Sequence, residues 1–150
     1  MGLIGRRCLA LVLACLVVSA NGCVLVPFVQ AFKESGATEG DRMALLPPQV
    51  KKFSDARLFG NKIDALRVVA PEARAEIGRQ LNEMGEGERI VKSQISDVEW
   101  SDSAYKAKVL VKVESFKMSE LVVGSVTEEQ RWEFSTVSGW LLTERSKVEG

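Results

Sequence analysis

The 150-residue chain contains no histidine and a single tyrosine, Tyr105. The first absence removes the commonest general base near neutral pH and the commonest zinc ligand, so several enzyme classes fit poorly. No metal-ligand cluster, phosphate-cradling glycine motif or nucleophile signature takes its place, and no metal or cofactor is expected. An excess of one charge is missing too: basic and acidic residues number 20 each and are interleaved through most of the chain. A surface that tracks nucleic-acid phosphates needs clustered cations, so nucleic acid is not an expected partner. With 46% apolar and 27% charged residues, the composition is that of one ordinary globular domain rather than a disordered or fibrous chain.

Long apolar runs are scarce, and the one present is at the start. Met1 to Arg7 is short and basic, Cys8 to Ala20 is apolar apart from Ser19, and Ala20-Asn21-Gly22 brings small or compact residues up to Cys23. This is the three-part layout of a secretory signal. Ala20-Asn21-Gly22-Cys23 resembles the lipobox of bacterial lipoproteins, with Ala20 where leucine is most usual. The resemblance implies cleavage before Cys23, a diacylglycerol on its sulfur, and acylation of the new amino group. Each buried methylene contributes roughly 0.8 kcal/mol, so two or three chains anchor a protein without a membrane-spanning helix. Two other readings of the segment are an uncleaved span from Cys8 to Phe28, interrupted by Ser19, Asn21, Gly22 and Pro27, and a secreted protein in which Cys23 is incidental. Cleavage would remove Cys8 and Cys15, leaving Cys23 unpaired in an oxidising compartment unless it is acylated. It would also remove Arg6 and Arg7 from the 20 basic residues, leaving 18 against 20 acidic ones and a net charge of −2. Val24 follows the cysteine where aspartate does not, and by the same resemblance the address is the cell envelope, on the periplasmic face of the outer membrane in a diderm source.

The expected organisation is a signal peptide over 1–22, a lipidated tether over 23–46 and one domain over 47–150. Helical structure is expected to begin between Asp41 and Pro48, because Pro47-Pro48 suits a first helical turn, where the missing amide hydrogens cost nothing. Val50, Phe53 and Leu58 share one broad apolar face, made imperfect by Arg57 in the same arc, and Gly60-Asn61 ends the helix. Ile63, Leu66 and Val69 mark a second helix. Ala73, Ile77, Leu81 and Met84 mark a third, from about Pro71, with Glu72, Arg74, Glu76, Arg79 and Gln80 toward water and Gly85 and Gly87 closing it.

The period then falls to two. Ile90, Val91, Ile95, Val98 and Trp100 predict a strand that changes parity and is therefore bulged, and Ser101-Asp102-Ser103 predicts a turn. Tyr105, Ala107, Val109, Val111 and Val113 alternate with Lys106, Lys108, Lys112 and Glu114, the clearest strand in the chain. Val126, Trp132 and Phe134 lie on a third strand, joined by Thr136 to Gly139 to a fourth over Trp140 to Arg145. Strands after helices, joined by short links, predict an α+β fold: three N-terminal helices on a curved antiparallel sheet of about four strands.

Three short helices followed by long strands ending in the hairpin Arg131-Trp132-Glu133-Phe134 to Gly139-Trp140-Leu141-Leu142 resemble the NTF2-like, or cystatin-like, α+β roll superfamily over roughly Pro47 to Arg145. Enzymes of that superfamily use a carboxylate in the cone between sheet and helices. Glu128 and Gln130 share the parity of the apolar stripe, with Tyr105 on the neighbouring strand, and form the candidate pocket. A buried Glu128 with a raised pKa could abstract a proton there, in an isomerase- or hydratase-like reaction. The other reading places Glu128 at a solvated strand end. Lys106, Lys108 and Lys112 read as the outer face of the sheet opposite Glu129 and Glu133, or as a basic stripe for a membrane or acidic partner. Trp100, Trp132 and Trp140 read as core. The first expectation for function is a noncatalytic envelope lipoprotein whose roll binds another protein or a small apolar ligand, with dimerisation through the sheet left open; the alternative is the enzyme using Glu128.

Overall fold

A computed structural model of the chain describes residues 29–84, 88–117 and 122–148. They belong to two units, Met1–Ser35 and Gly36–Gly150. In the first, residues 29–34 are helical and the Ser35 hydroxyl donates back to the Phe32 carbonyl at 2.7 Å. The second carries α1 (Glu39–Leu58), α2 (Lys62–Arg67), a 3-10 turn at Pro71–Ala73 and α3 (Arg74–Met84). The strands follow: β1 (Glu88–Ser101), β2 (Lys106–Lys117), β3 (Val122–Ser135) and β4 (Gly139–Val148), with a tight turn at Asp102–Ala104. They form an antiparallel meander in the order β1-β2-β3-β4, so the chain is α+β with an open four-stranded sheet. No helix among the described residues is long and apolar enough to cross a membrane.

Helix α1 starts earlier than the prolines suggest. Thr38 caps it, its hydroxyl accepting from the Asp41 amide at 3.1 Å while the Asp41 carboxylate accepts from the Thr38 amide at 3.2 Å. This reciprocal cap satisfies two orphan donors and sets the helix start eight residues ahead of the expected domain boundary at residue 47. Pro47 and Pro48 therefore lie inside α1, on its exposed side, where water can take up the carbonyls that lose their donors. Arg42 and Leu46, expected in the tether, are buried.

The core lies between the helices and one face of the sheet. Leu46, Val50 and Phe53 of α1, Ala65 of α2, and Ile77 and Leu81 of α3 pack on Ala107, Val109, Val111 and Val113 of β2, with Trp132, Trp140 and Leu142 beside them. Phe53 meets Trp132 edge-on at 6.3 Å, and Trp140 lies between Trp100 at 6.0 Å and Phe134 at 5.5 Å. The second helix differs from expectation: it ends at Arg67, Ile63 is exposed, and Val69 leaves the helix to bridge Leu142. There the Ala70 amide donates to the Leu142 carbonyl and the Leu142 amide to the Val68 carbonyl, both at 2.9 Å, so this segment covers part of the free edge of β4. Strand β1 carries register shifts at Ile90/Lys92 and at Ile95/Asp97, which restore its inward parity. The outer face bears the ionic ladder, Lys108 with Glu99 at 2.7 Å and Arg131 with Glu129 at 3.2 Å. Met84's side chain, Gly85 and Gly87, read as the end of the third helix, lie outside the described residues.

Candidate functional site

Alternation on β3 turns Glu128, Gln130, Trp132 and Phe134 toward the helices, and all four are buried. Glu128 lies beside Val111 of β2 and Lys147 of β4. Above it, α1 supplies Arg57, the residue that spoiled its apolar face. Arg57 Nη1 donates to Oε2 and Nη2 to Oε1 of Glu128, each at 2.8 Å. From β4, Arg145 donates through Nε to Oε2 at 3.0 Å and through Nη2 to Oε1. Both guanidinium side chains are almost as buried as the carboxylate.

Arg145 faces inward because of a bulge. Trp132 pairs with Leu142 but Arg131 pairs with Glu144, leaving Thr143 as the extra residue, whose hydroxyl donates to the Arg131 carbonyl at 3.1 Å. Without the bulge, unbroken alternation from Trp140 and Leu142 would turn Glu144 inward, opposite Gln130, and Arg145 outward. Arg145 Nη1 also donates to Gln80 Oε1 at 3.2 Å, tying α3 to the cluster; Gln80, expected to face water, is partly buried for this reason.

Burial alone would raise the Glu128 pKa, and it is the largest influence on it. The hydrogen bonds from Arg145 and Arg57, with their positive charges, together outweigh it and bring the value from the usual 4.5 down to about 2. The shift is opposite to the raised pKa that a general base at this position needs. Four donated hydrogen bonds also occupy the roughly four acceptor directions of a carboxylate. Glu128 is thus a fixed counter-ion with no free lone pair for a substrate proton.

The other candidate residues divide. Gln130 is fully buried beside Arg145; its Oε1 accepts from Trp132 Nε1 at 3.2 Å, and its Nε2 has no acceptor among the described residues. Tyr105 is not with them. It precedes β2, is 41% exposed, and packs on Phe134 at 6.1 Å, with the Arg42 guanidinium 4.1 Å from its ring centre. The expected pocket of Tyr105, Glu128 and Gln130 is therefore replaced by a filled polar cluster and a separate aromatic stack. Cys23 lies outside the described residues. No group of three or more potential metal ligands converges among the described residues.

Two partners of Glu128 were missed in the sequence. Arg57 carried a signal, being a cation within an apolar arc, whereas Arg145 carried none because alternation from Trp140 points it outward. A third buried arginine was missed as well. Arg42 donates to the carbonyls of Gly36 at 2.9 Å, Ala37 at 3.3 Å and Ser103 at 2.8 Å. It thereby clamps the entry to α1 onto the β1–β2 turn, where Asp102, Ser103 and Ala104 all have positive φ between 51° and 58°.

No protein-family model and no curated protein matches the chain. Among solved structures, it is similar to RPA3114, a SEC-C motif-containing protein from Rhodopseudomonas palustris, with a TM-score of 0.53 and 11% identity over 64% of this chain and 73% of that one. The intermembrane space region of the chloroplast protein ARC6 aligns over 69% of this chain and 93% of its own, at 17% identity and a TM-score of 0.48. At 11% identity, the first similarity speaks for the α+β fold alone.

Proposed function

We propose that the chain is an envelope lipoprotein, anchored through Cys23, whose NTF2-like α+β domain binds another protein rather than catalysing a reaction. The address rests on the apolar run Cys8 to Ala20 followed by Ala20-Asn21-Gly22-Cys23. The noncatalytic role rests on one observation above the others: both oxygens of Glu128 are held by Arg57 and Arg145. The order of elements, helices first and then a meander with a bulged first strand, supports the NTF2-like reading. Intact-mass measurement of protein recovered from native membranes tests the anchor. The expected product begins at Cys23 and carries added lipid mass, and a Cys23→Ser variant leaves the membrane fraction. A product that keeps residues 1–22, or starts at Cys23 without lipid, overturns it.

A further inference from the structure

The outer side of α1 and α2 forms a groove of about 540 Å³. Pro48, Lys52, Ala56 and Phe59 recur at three- to four-residue spacing and make one wall, while Asn61, Asp64 and Arg67, three apart, make the other. Phe59, at the end of α1, is 80% exposed. An aromatic ring held in the open at a concave site is a typical anchor for a partner side chain. The charges in the groove are not balanced. Lys51 pairs with Asp55 and Arg67 with Asp64, which leaves Lys52 as the lining cation with no ion pair among the described residues.

We propose that this groove docks an extended segment of a partner protein, with a carboxylate over Lys52 and a bulky apolar side chain against Phe59. The proposal rests on the binding-module reading and gives it a surface and a partner class. The dimensions fit. The eleven helical rises from Pro48 to Phe59 make a wall of about 16 Å, the length of about five residues of extended chain. Lys52 and Phe59 are about 10 Å apart along the helix axis, so the acidic and apolar residues of the partner fall about three positions apart in an extended strand.

The test is selection from a displayed library of random heptapeptides on the full-length protein, purified from membranes in detergent. The expected winners carry Asp or Glu about three positions from a Leu, Ile, Phe or Trp. A synthetic peptide of that consensus should bind about tenfold more weakly to Phe59→Ala and to Lys52→Glu. A peptide with lysine in place of its acid should regain affinity for Lys52→Glu. Both substitutions are at the surface, and an unchanged thermal midpoint checks that each variant is folded. Enrichment without the acidic position overturns the proposal. So do selected peptides that bind both variants as tightly as the parent, but those leave the binding-module reading standing on another surface. Failure to select any peptide overturns the groove, and the lipid-anchor measurement then judges the wider reading separately.

Discussion

Two places in the domain bury arginine, and they solve the same problem with different partners. Around Glu128, two guanidiniums from α1 and β4 share one carboxylate between the layers. At the β1–β2 turn, Arg42 is buried against neutral carbonyls and the ring of Tyr105. A charge removed from water needs hydrogen bonds in either case. Only the first solution depends on the ionisation of a partner, so acidity and mutation should separate the two.

The largest effect should come from Glu128→Ala, which leaves Arg57 and Arg145 facing each other without their shared counter-charge. Loss of one partner from a buried ion pair costs roughly 3–5 kcal/mol, and urea denaturation should show it as a much lower midpoint or as a chain that does not fold. An unfolding free energy within about 1 kcal/mol of the parent would mean that the cluster is not shut away from water. Acid comes next. The folded-state pKa of Glu128, about 2, lies below its usual 4.5, so its contribution is complete above about pH 4.5 and disappears as pH falls toward 2. Such a shift corresponds to about 3 kcal/mol, measurable as the difference in acid sensitivity between the parent and Glu128→Gln. Arg42→Ala should share the parental pH dependence of the Glu128 cluster.

Arg42→Ala should cost about 2 kcal/mol, because carbonyls of Gly36, Ala37 and Ser103 lose a charged donor. Hydrogen exchange should then rise first around residues 36–42 and 102–105, before the rest of the domain. Uniform protection across those segments would show that Arg42 holds nothing there. Gly36→Ala probes the same entry through sterics. Gly36 has φ +66°, and an added Cβ would stand 2.3 Å from the Phe134 ring, so a loss of about 1–3 kcal/mol is expected by thermal unfolding. At the small end, Phe59→Ala should change the thermal stability by less than about 0.5 kcal/mol, since its ring is exposed and away from the core.

The clearest sequence patterns read through to the structure. Alternation from Ala107 to Val113 defines β2, and the parity of Trp132 and Phe134 does carry Glu128 and Gln130 inward. The parity change in Ile90 to Trp100 corresponds to two bulges. The start of α1 was not read: the capping box of Thr38 and Asp41 was passed over because Pro47-Pro48 was the louder signal and pointed to a later position. The destination of Arg57 was half legible. Its place in an apolar arc marked it as unusual, yet nothing near it in the chain named Glu128 as the partner 71 residues away.

What the sequence determined by itself is periodicity: which residues share a helix face or a strand face, because 3.6 and 2.0 are properties of the local backbone. It determined in this way that the chain has helices first and strands after them. Tertiary structure alone decided the charge state and use of Glu128. A single extra residue at Thr143 turns Arg145 inward, and long-range packing brings α1 over β3 so that Arg57 completes the cluster. Electrostatic environment is set by neighbours in space, and those neighbours come from three elements that no local pattern connects.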